Sequence, residues 1–370
     1  MKILQILPEL NSGGVERGTL EVSRHLVACG HQSLVVSHGA RLVPSLQESG
    51  GVHLTLPVHQ KKLGSLRLVP VLRNLFLQEK PDIIHARSRV PAWLAWLAWR
   101  KMQESTRPRF VTTFHGFYSV NFYSKIMTRG EKIIAVSRSV KEFILRNYPA
   151  VNQDDIVVIH RGIDPLHFPQ GYQPTPEWQE KWQRDFPELQ NQQLLLMPGR
   201  ITRWKGQQDF LQLIASLRTS HPDVHGIIVG EVHPRKQEFL GELKLLAKSL
   251  SIENCVTFLG HRDDLREWMS MSRIVYSLSR DPEAFGRVSL EAMAIGKPVI
   301  ATNHGGVAEQ LTVMLPQGLV PQDDPLALLE RTRSFLTEAP VPANVPASFL
   351  LQSMLDSTIA TYRSLLSQKS

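Results

Sequence analysis

The sequence predicts an α/β protein of two Rossmann-like domains facing across a cleft. Three observations predict it. Short apolar runs alternate with amphipathic stretches, the alternation breaks at a proline-rich segment, and it then starts again. The length, 370 residues, suits two domains better than one core. Hydrophobic residues make up 42% of the chain and charged residues 21%, a globular balance that argues against disorder and fibrous repeats.

In the first domain, residues 1–166, the runs 2–8, 33–38, 53–58, 82–86, 109–114, 132–137 and 155–160 read as strands. They are short, rich in β-branched residues and flanked by turn formers. Helical spacing lies between most of them, as over 18–30 and 139–148. Such alternation implies a parallel sheet covered on both faces. Residues 167–192 are proline-rich and read as a linker with one short helix near 177–184. The second domain, 193–345, repeats the pattern with strands at 193–199, 226–230, 255–260, 273–279 and 298–302. A last helix is expected over 346–370, packing back toward the first domain.

Charge is uneven. Residues 1–165 carry 22 Lys and Arg against 12 Asp and Glu, and the remainder 20 against 22, so the net +8 belongs to the first half. A basic half favours an anionic partner, either nucleic acid or an anionic membrane surface. Residues 91–99 form the most apolar stretch, about half of the ~20 needed to span a bilayer. Trp93, Trp96 and Trp99 read as a helix flank buried in the protein. Pro8 and Glu9 interrupt the N-terminal run too early for a signal peptide. Cys29 and Cys255 are read as buried free thiols of a reducing compartment.

In open parallel sheets, ligands bind beyond the carboxyl ends of the strands, so the residues after each strand matter most. After the first come Asn11, Ser12, Gly13 and Gly14, where a glycine pair opening a helix lets backbone amides approach an anion. The same pair also reads as a tight turn. After 193–199 come Gly199, Arg200, Lys205 and Gly206. Two cations fixed there would stabilise the charge that develops on a leaving diphosphate. The segment 281–294 is the richest. Glu283 belongs to a loop, Phe285 and Gly286 open a helix, and Glu291 lies in its first turns. Amides near Phe285, Gly286 and Arg287 suit a phosphate, while the carboxylates suit sugar or ribose hydroxyls. His304, Gly305 and Gly306 follow the next strand, either in the same site or as a turn. In the first domain His115 follows a strand, and Arg87 and Arg89 follow another. These arginines are either a grip for an anionic acceptor or a solvated turn. Asp263 and Asp264 read as acids at a helix start rather than a metal motif.

Together these segments resemble the retaining GT-B glycosyltransferases of family 4. The resemblance runs from the first strand to about residue 310. Residues 85–100, 160–164 and 199–207 are most similar to bacterial enzymes of the lipopolysaccharide core, including mannosyltransferases. The resemblance implies a hexose transferred from a nucleoside-diphosphate sugar to a glycan or lipid-linked acceptor, with retention. It assigns Arg200 and Lys205 to the diphosphate, Glu283 to the transferred sugar and Glu291 to the ribose. Amides at Phe285, Gly286, Arg287 and Val288 would meet sugar and phosphates, Gly13 and Gly14 would close on the phosphates, and His261 would lie near the base. His115 would stand beside the reacting centre and, with Arg87 and Arg89, near the acceptor. Where many members have Asn-Gly, this chain has Arg161-Gly162. No cofactor, metal or nucleic acid is expected. The location expected is the cytoplasm, with peripheral attachment to the inner face of its membrane, where each Lys or Arg near anionic lipid contributes about 1 kcal/mol. The competing readings are a nucleotide-sugar epimerase on the same fold, an inactive binding subunit and, on charge alone, a nucleic-acid binder.

Overall fold

A computed structural model of the chain describes residues 1–11, 13–232 and 237–367. The chain divides into two compact units. The first is Met1–Gly162 together with the C-terminal helix Leu351–Ser367, and the second is Ile163–Leu350.

The first unit holds a seven-stranded sheet. Its strands are β1 (Lys2–Ile6), β2 (Gln32–Ser37), β3 (Val52–Thr55), β4 (Ile83–Ala86), β5 (Arg109–Phe114), β6 (Lys132–Ala135) and β7 (Ile156–Val158), in the order β3-β2-β1-β4-β5-β6-β7. Every pairing is parallel. Apolar residues of the central strands, Ile3, Ile83, Val111 and Ile134, pack against Val22 and Leu26 of helix Gly14–Ala28. The C-terminal helix completes this core with Met354, Leu355, Ile359 and Tyr362. Tyr362 is fully buried, and its hydroxyl is 2.6 Å from Nδ1 of His85, which satisfies two polar groups inside the core.

The second unit holds a six-stranded parallel sheet. It consists of β8 (Gln193–Pro198), β9 (Val224–Val229), β10 (Val256–Gly260), β11 (Ile274–Ser277), β12 (Val299–Thr302) and β13 (Leu319–Val320), in the order β10-β9-β8-β11-β12-β13. Residues 167–192, expected as a linker, belong to this unit. Helix Pro176–Asp185 packs there because Trp178 and Trp182 meet the edges of buried Trp268 at 6.1 and 6.2 Å, and Trp178 Nε1 donates to Asp264 at 2.8 Å. The Gly162-Ile163-Asp164 run straddles the unit boundary.

Two expectations are corrected. Cys29 closes helix Gly14–Ala28 at the surface and is exposed, and Cys255 is half-buried, so neither is a buried thiol; both are free. Trp93, Trp96 and Trp99 are half-buried, because the inward positions of helix Arg89–Trp99 are filled by Ala92, Leu94, Ala95 and Ala98.

Candidate active site

In the second unit, glycines bring strand ends into contact. A side chain at Gly230 would stand 1.9 Å from the carbonyl oxygen of Gly199, so the ends of β8 and β9 close together only without one. Gly206, at φ +81°, caps helix Gln207–Leu217, and a Cβ there would lie 2.0 Å from the carbonyl oxygen of Leu278, just past β11. This approach carries Lys205 from the end of β8 to the end of β11. Its aliphatic chain passes over Gly199 and its Nζ lies 2.7 Å from Oε1 of Glu283.

Glu283 sits in the loop after β11. Its Oε1 also accepts from Ser279 Oγ at 2.6 Å and Ser277 Oγ at 3.2 Å. Burial pushes this carboxyl up, but the Lys205 charge and the three donors outweigh burial and hold it below the usual carboxylate range. All three donors meet one oxygen, and among the described residues no donor meets Oε2. The loop itself rests on the late glycine pair. Gly306 N donates to Glu283 O at 2.7 Å, and side chains at Gly305 or Gly306 would press into the backbone of Glu283, Ala284 and Phe285.

Gly286 then caps helix Arg287–Ala294 at φ +84°, pressed against Val307. Phe285 is buried against Phe349, with ring centroids 5.9 Å apart. The first-turn amides of Arg287 and Val288 have no partners within the helix, as at any helix start. Glu291 is buried, 3.7 Å from Arg287 Nε on the same helix. Arg200 and His261 follow β8 and β10. Arg200 is exposed, and His261 pairs with its neighbour Asp263 at 3.1 Å. Among the described residues, neither makes a hydrogen bond or ion pair with Lys205 or Glu283. Asp264 precedes helix Leu265–Met271, yet its carboxylate is held by Arg262 and Trp178.

In the first unit, Gly13 takes φ +150° at the cap of helix Gly14–Ala28, and a Cβ on Gly14 would meet open space. Ser12 lies outside the described residues. His115 follows β5, and its Nδ1 accepts from the Arg161 guanidinium. The imidazole N–H is therefore on Nε2, which is buried and has no partner among the described residues. Burial first, then the charges of Arg161, Arg87 and His85, hold His115 well below the usual imidazole range.

Arg87 is corrected. It is neither a surface grip nor a solvated turn, because it is buried, 2% exposed, with Nε donating to the buried Gln5 at 2.7 Å. Arg89 lies half-buried, stacked 4.6 Å from the Tyr118 ring and bonded to Ser124 Oγ. Sequence reasoning missed Arg161, Ser277, Ser279 and Gly18. Arg161 had been noted only as a departure from Asn. A Cβ on Gly18 would lie 2.7 Å from its Nη1, so that glycine makes the room the guanidinium occupies. Both serines directly precede the richest motif, at and after the end of β11, where acceptors and donors gather.

Comparison with known proteins decides the family. Residues 179–346 match the family model for glycosyl transferases group 1, and residues 12–166 match glycosyltransferase family 4. The crystal structure of a glycosyltransferase from Rickettsia africae ESF-5 is 31% identical, covers 99% of this chain and 98% of its own, and superposes with a TM-score of 0.86. The chain belongs to the group 1 glycosyltransferases. N-acetyl-alpha-D-glucosaminyl L-malate synthase of Bacillus anthracis is 28% identical over 325 residues, 82% of this chain and 78% of that protein. The structure of Anabaena HepE in complex with UDP and glucose is 22% identical, covers 98% of this chain and all of its own (100%), and has a TM-score of 0.82. It shares the fold. The fold class of this glycosyltransferase is GT-B, with a seven- and a six-stranded parallel sheet.

Proposed function

We propose that this glycosyltransferase moves a hexose from a nucleoside-diphosphate sugar to a glycan or lipid-linked acceptor, retaining the anomeric configuration. Synthesis of the lipopolysaccharide core or another cell-envelope glycan is its setting. One observation carries the reading. Lys205 and Glu283 are packed together at the strand ends, beside a glycine-opened helix start, and among the described residues no donor meets Oε2 of Glu283. HepE, whose structures contain UDP, glucose and UDP-glucose, supports a nucleotide-sugar donor.

In this reading, Arg200 and Lys205 face the diphosphate with the amides of Phe285 to Val288. Negative charge grows there as the bond from the anomeric carbon to phosphate oxygen breaks, and preorganised donors favour that state over the ground state. Glu283 Oε2 accepts from hydroxyls of the transferred sugar and Glu291 from the ribose. Gly13 and Gly14 close on the phosphates, and His261 lies near the base. His115 presents its Nε2–H beside the reacting centre, and Arg89 serves the acceptor. The acceptor oxygen attacks the anomeric carbon on the face the phosphate leaves, and its proton passes to the departing phosphate oxygen. That step needs neither an enzyme base nor a metal. The cytoplasm and the inner face of its membrane are the place where such an acceptor is met.

A donor-hydrolysis screen with GDP-, UDP- and ADP-sugars tests the reading. One donor should turn over, with a loss of about 10²-fold or more in Glu283→Ala and Lys205→Ala. Equal turnover in both variants would remove the site assignment.

A further inference from the structure

We infer that the outer helical face of the first unit docks on an anionic lipid bilayer. Residues 59–78, 87–103 and 110–130 carry ten Lys and Arg and no Asp or Glu, and of the ten only Arg87 is buried. The fold makes these segments neighbours. Helix Leu68–Glu79 packs on helix Arg89–Trp99, which packs on the 3-10 helix Ser124–Arg129. Lys61 Nζ lies 4.4 Å above the Tyr123 ring, and Trp93 Nε1 donates to the Tyr123 carbonyl at 2.9 Å. The carboxylates at the segment ends are ion-paired, Glu79 with Lys2, Glu104 with Arg107 and Glu131 with Arg109, so the excess charge is cationic and complementary to anionic headgroups.

The same segments also carry exposed apolar side chains. Of the twelve large hydrophobic residues exposed among those described, six lie on these segments. Leu63 is 87% exposed and Phe122 78%. Phe122 packs 5.2 Å from the half-buried Trp93, which meets Trp96 at 5.9 Å, and Arg100 lies 4.8 Å over Trp96. Projecting apolar tips amid Lys and Arg are what an interfacial surface needs. Nucleic acid fits less well. A single strand stacks on free aromatic faces, whereas here Lys61 covers Tyr123, Arg100 covers Trp96 and Phe122 stacks on Trp93.

The surface takes its purpose from the proposed membrane-borne acceptor, so it rests on that reading, but its chemistry is testable without catalysis. The full chain is sedimented with phosphatidylglycerol vesicles and with phosphatidylcholine vesicles, at low and high salt, while donor hydrolysis is measured in parallel. Binding to phosphatidylglycerol at low salt, and none to phosphatidylcholine, is expected. Lys62→Ala with Arg67→Ala should weaken it about 25-fold, roughly fivefold per cation. Leu63→Ser with Phe122→Ser should weaken the binding that survives high salt. Donor hydrolysis should be unchanged in both. Absence of binding to phosphatidylglycerol, variants that bind like the parent, or displacement of the vesicles by a single-stranded oligonucleotide would each overturn the inference. Hydrolysis that persists without vesicle binding rejects this surface alone, whereas vesicle binding without hydrolysis rejects the transferase site alone.

Discussion

Lys205 Nζ meets the same carboxylate oxygen of Glu283 that accepts from Ser279 and Ser277, so one oxygen takes three donors while, among the described residues, its twin takes none. Both charged side chains are 16% exposed. Each therefore depends on the other. Lys205→Met should destabilise the protein by about 3 kcal/mol, because it strands a carboxylate. Adding Glu283→Gln should recover part of that loss. A thermal-denaturation double-mutant cycle checks the coupling, expected at about 1–3 kcal/mol.

The depressed Glu283 pKa has a signed consequence. The folded state releases this proton more readily than the unfolded chain, so the pair stabilises the protein above the ordinary value of 4.5. That stability is lost as pH falls from 4.5 through the lower folded value. Denaturant titrations of wild type and Glu283→Gln should diverge above this window and converge below it.

How legible this was depended on whether the information was local. The strands stood out as β-branched runs, and the helix opened by Gly286 was readable because Glu283 follows a strand while Glu291 lies in the first turns of a helix. What each glycine packs against was not readable. Gly206 meets Leu278 and Gly306 meets the Ala284 backbone, contacts that only the folded sheet creates. Arg87 misled for the same reason: nothing beside it in sequence announces Gln5, its hydrogen-bond partner across the sheet. Proline content made residues 167–192 look like a linker, but Trp178 and Trp182 had a distant partner in Trp268. Strand β13 is too short to leave a pattern.

Two glycines separate folding from function. Gly206→Ala should cost about 3 kcal/mol or more, since backbone atoms occupy the space of its Cβ. Gly14→Ala meets open space within a helix, so its Tm should hold or rise slightly. If the loop before it closes on phosphates, its donor turnover should nonetheless fall about 10²-fold.

His115 should stay neutral at pH 6.5, where an ordinary imidazole is half protonated. Its folded pKa is lowered by burial and by Arg161, Arg87 and His85. It therefore costs stability as pH falls through 6.5 and contributes no inflection to the rate above it. Nitrogen-15 NMR should show the proton on Nε2, and Arg161→Met should let His115 protonate at higher pH. A protonated His115 at pH 6.5 would contradict the hydrogen bond from Arg161.

The most direct measurement is a structure of the chain with the nucleotide-sugar that it hydrolyses. The pyrophosphate should lie against Arg200, Lys205 and the amides from Phe285 to Val288, with a sugar hydroxyl on Oε2 of Glu283. A pyrophosphate bound away from that helix start, with the Lys205–Glu283 pair untouched, would contradict the account.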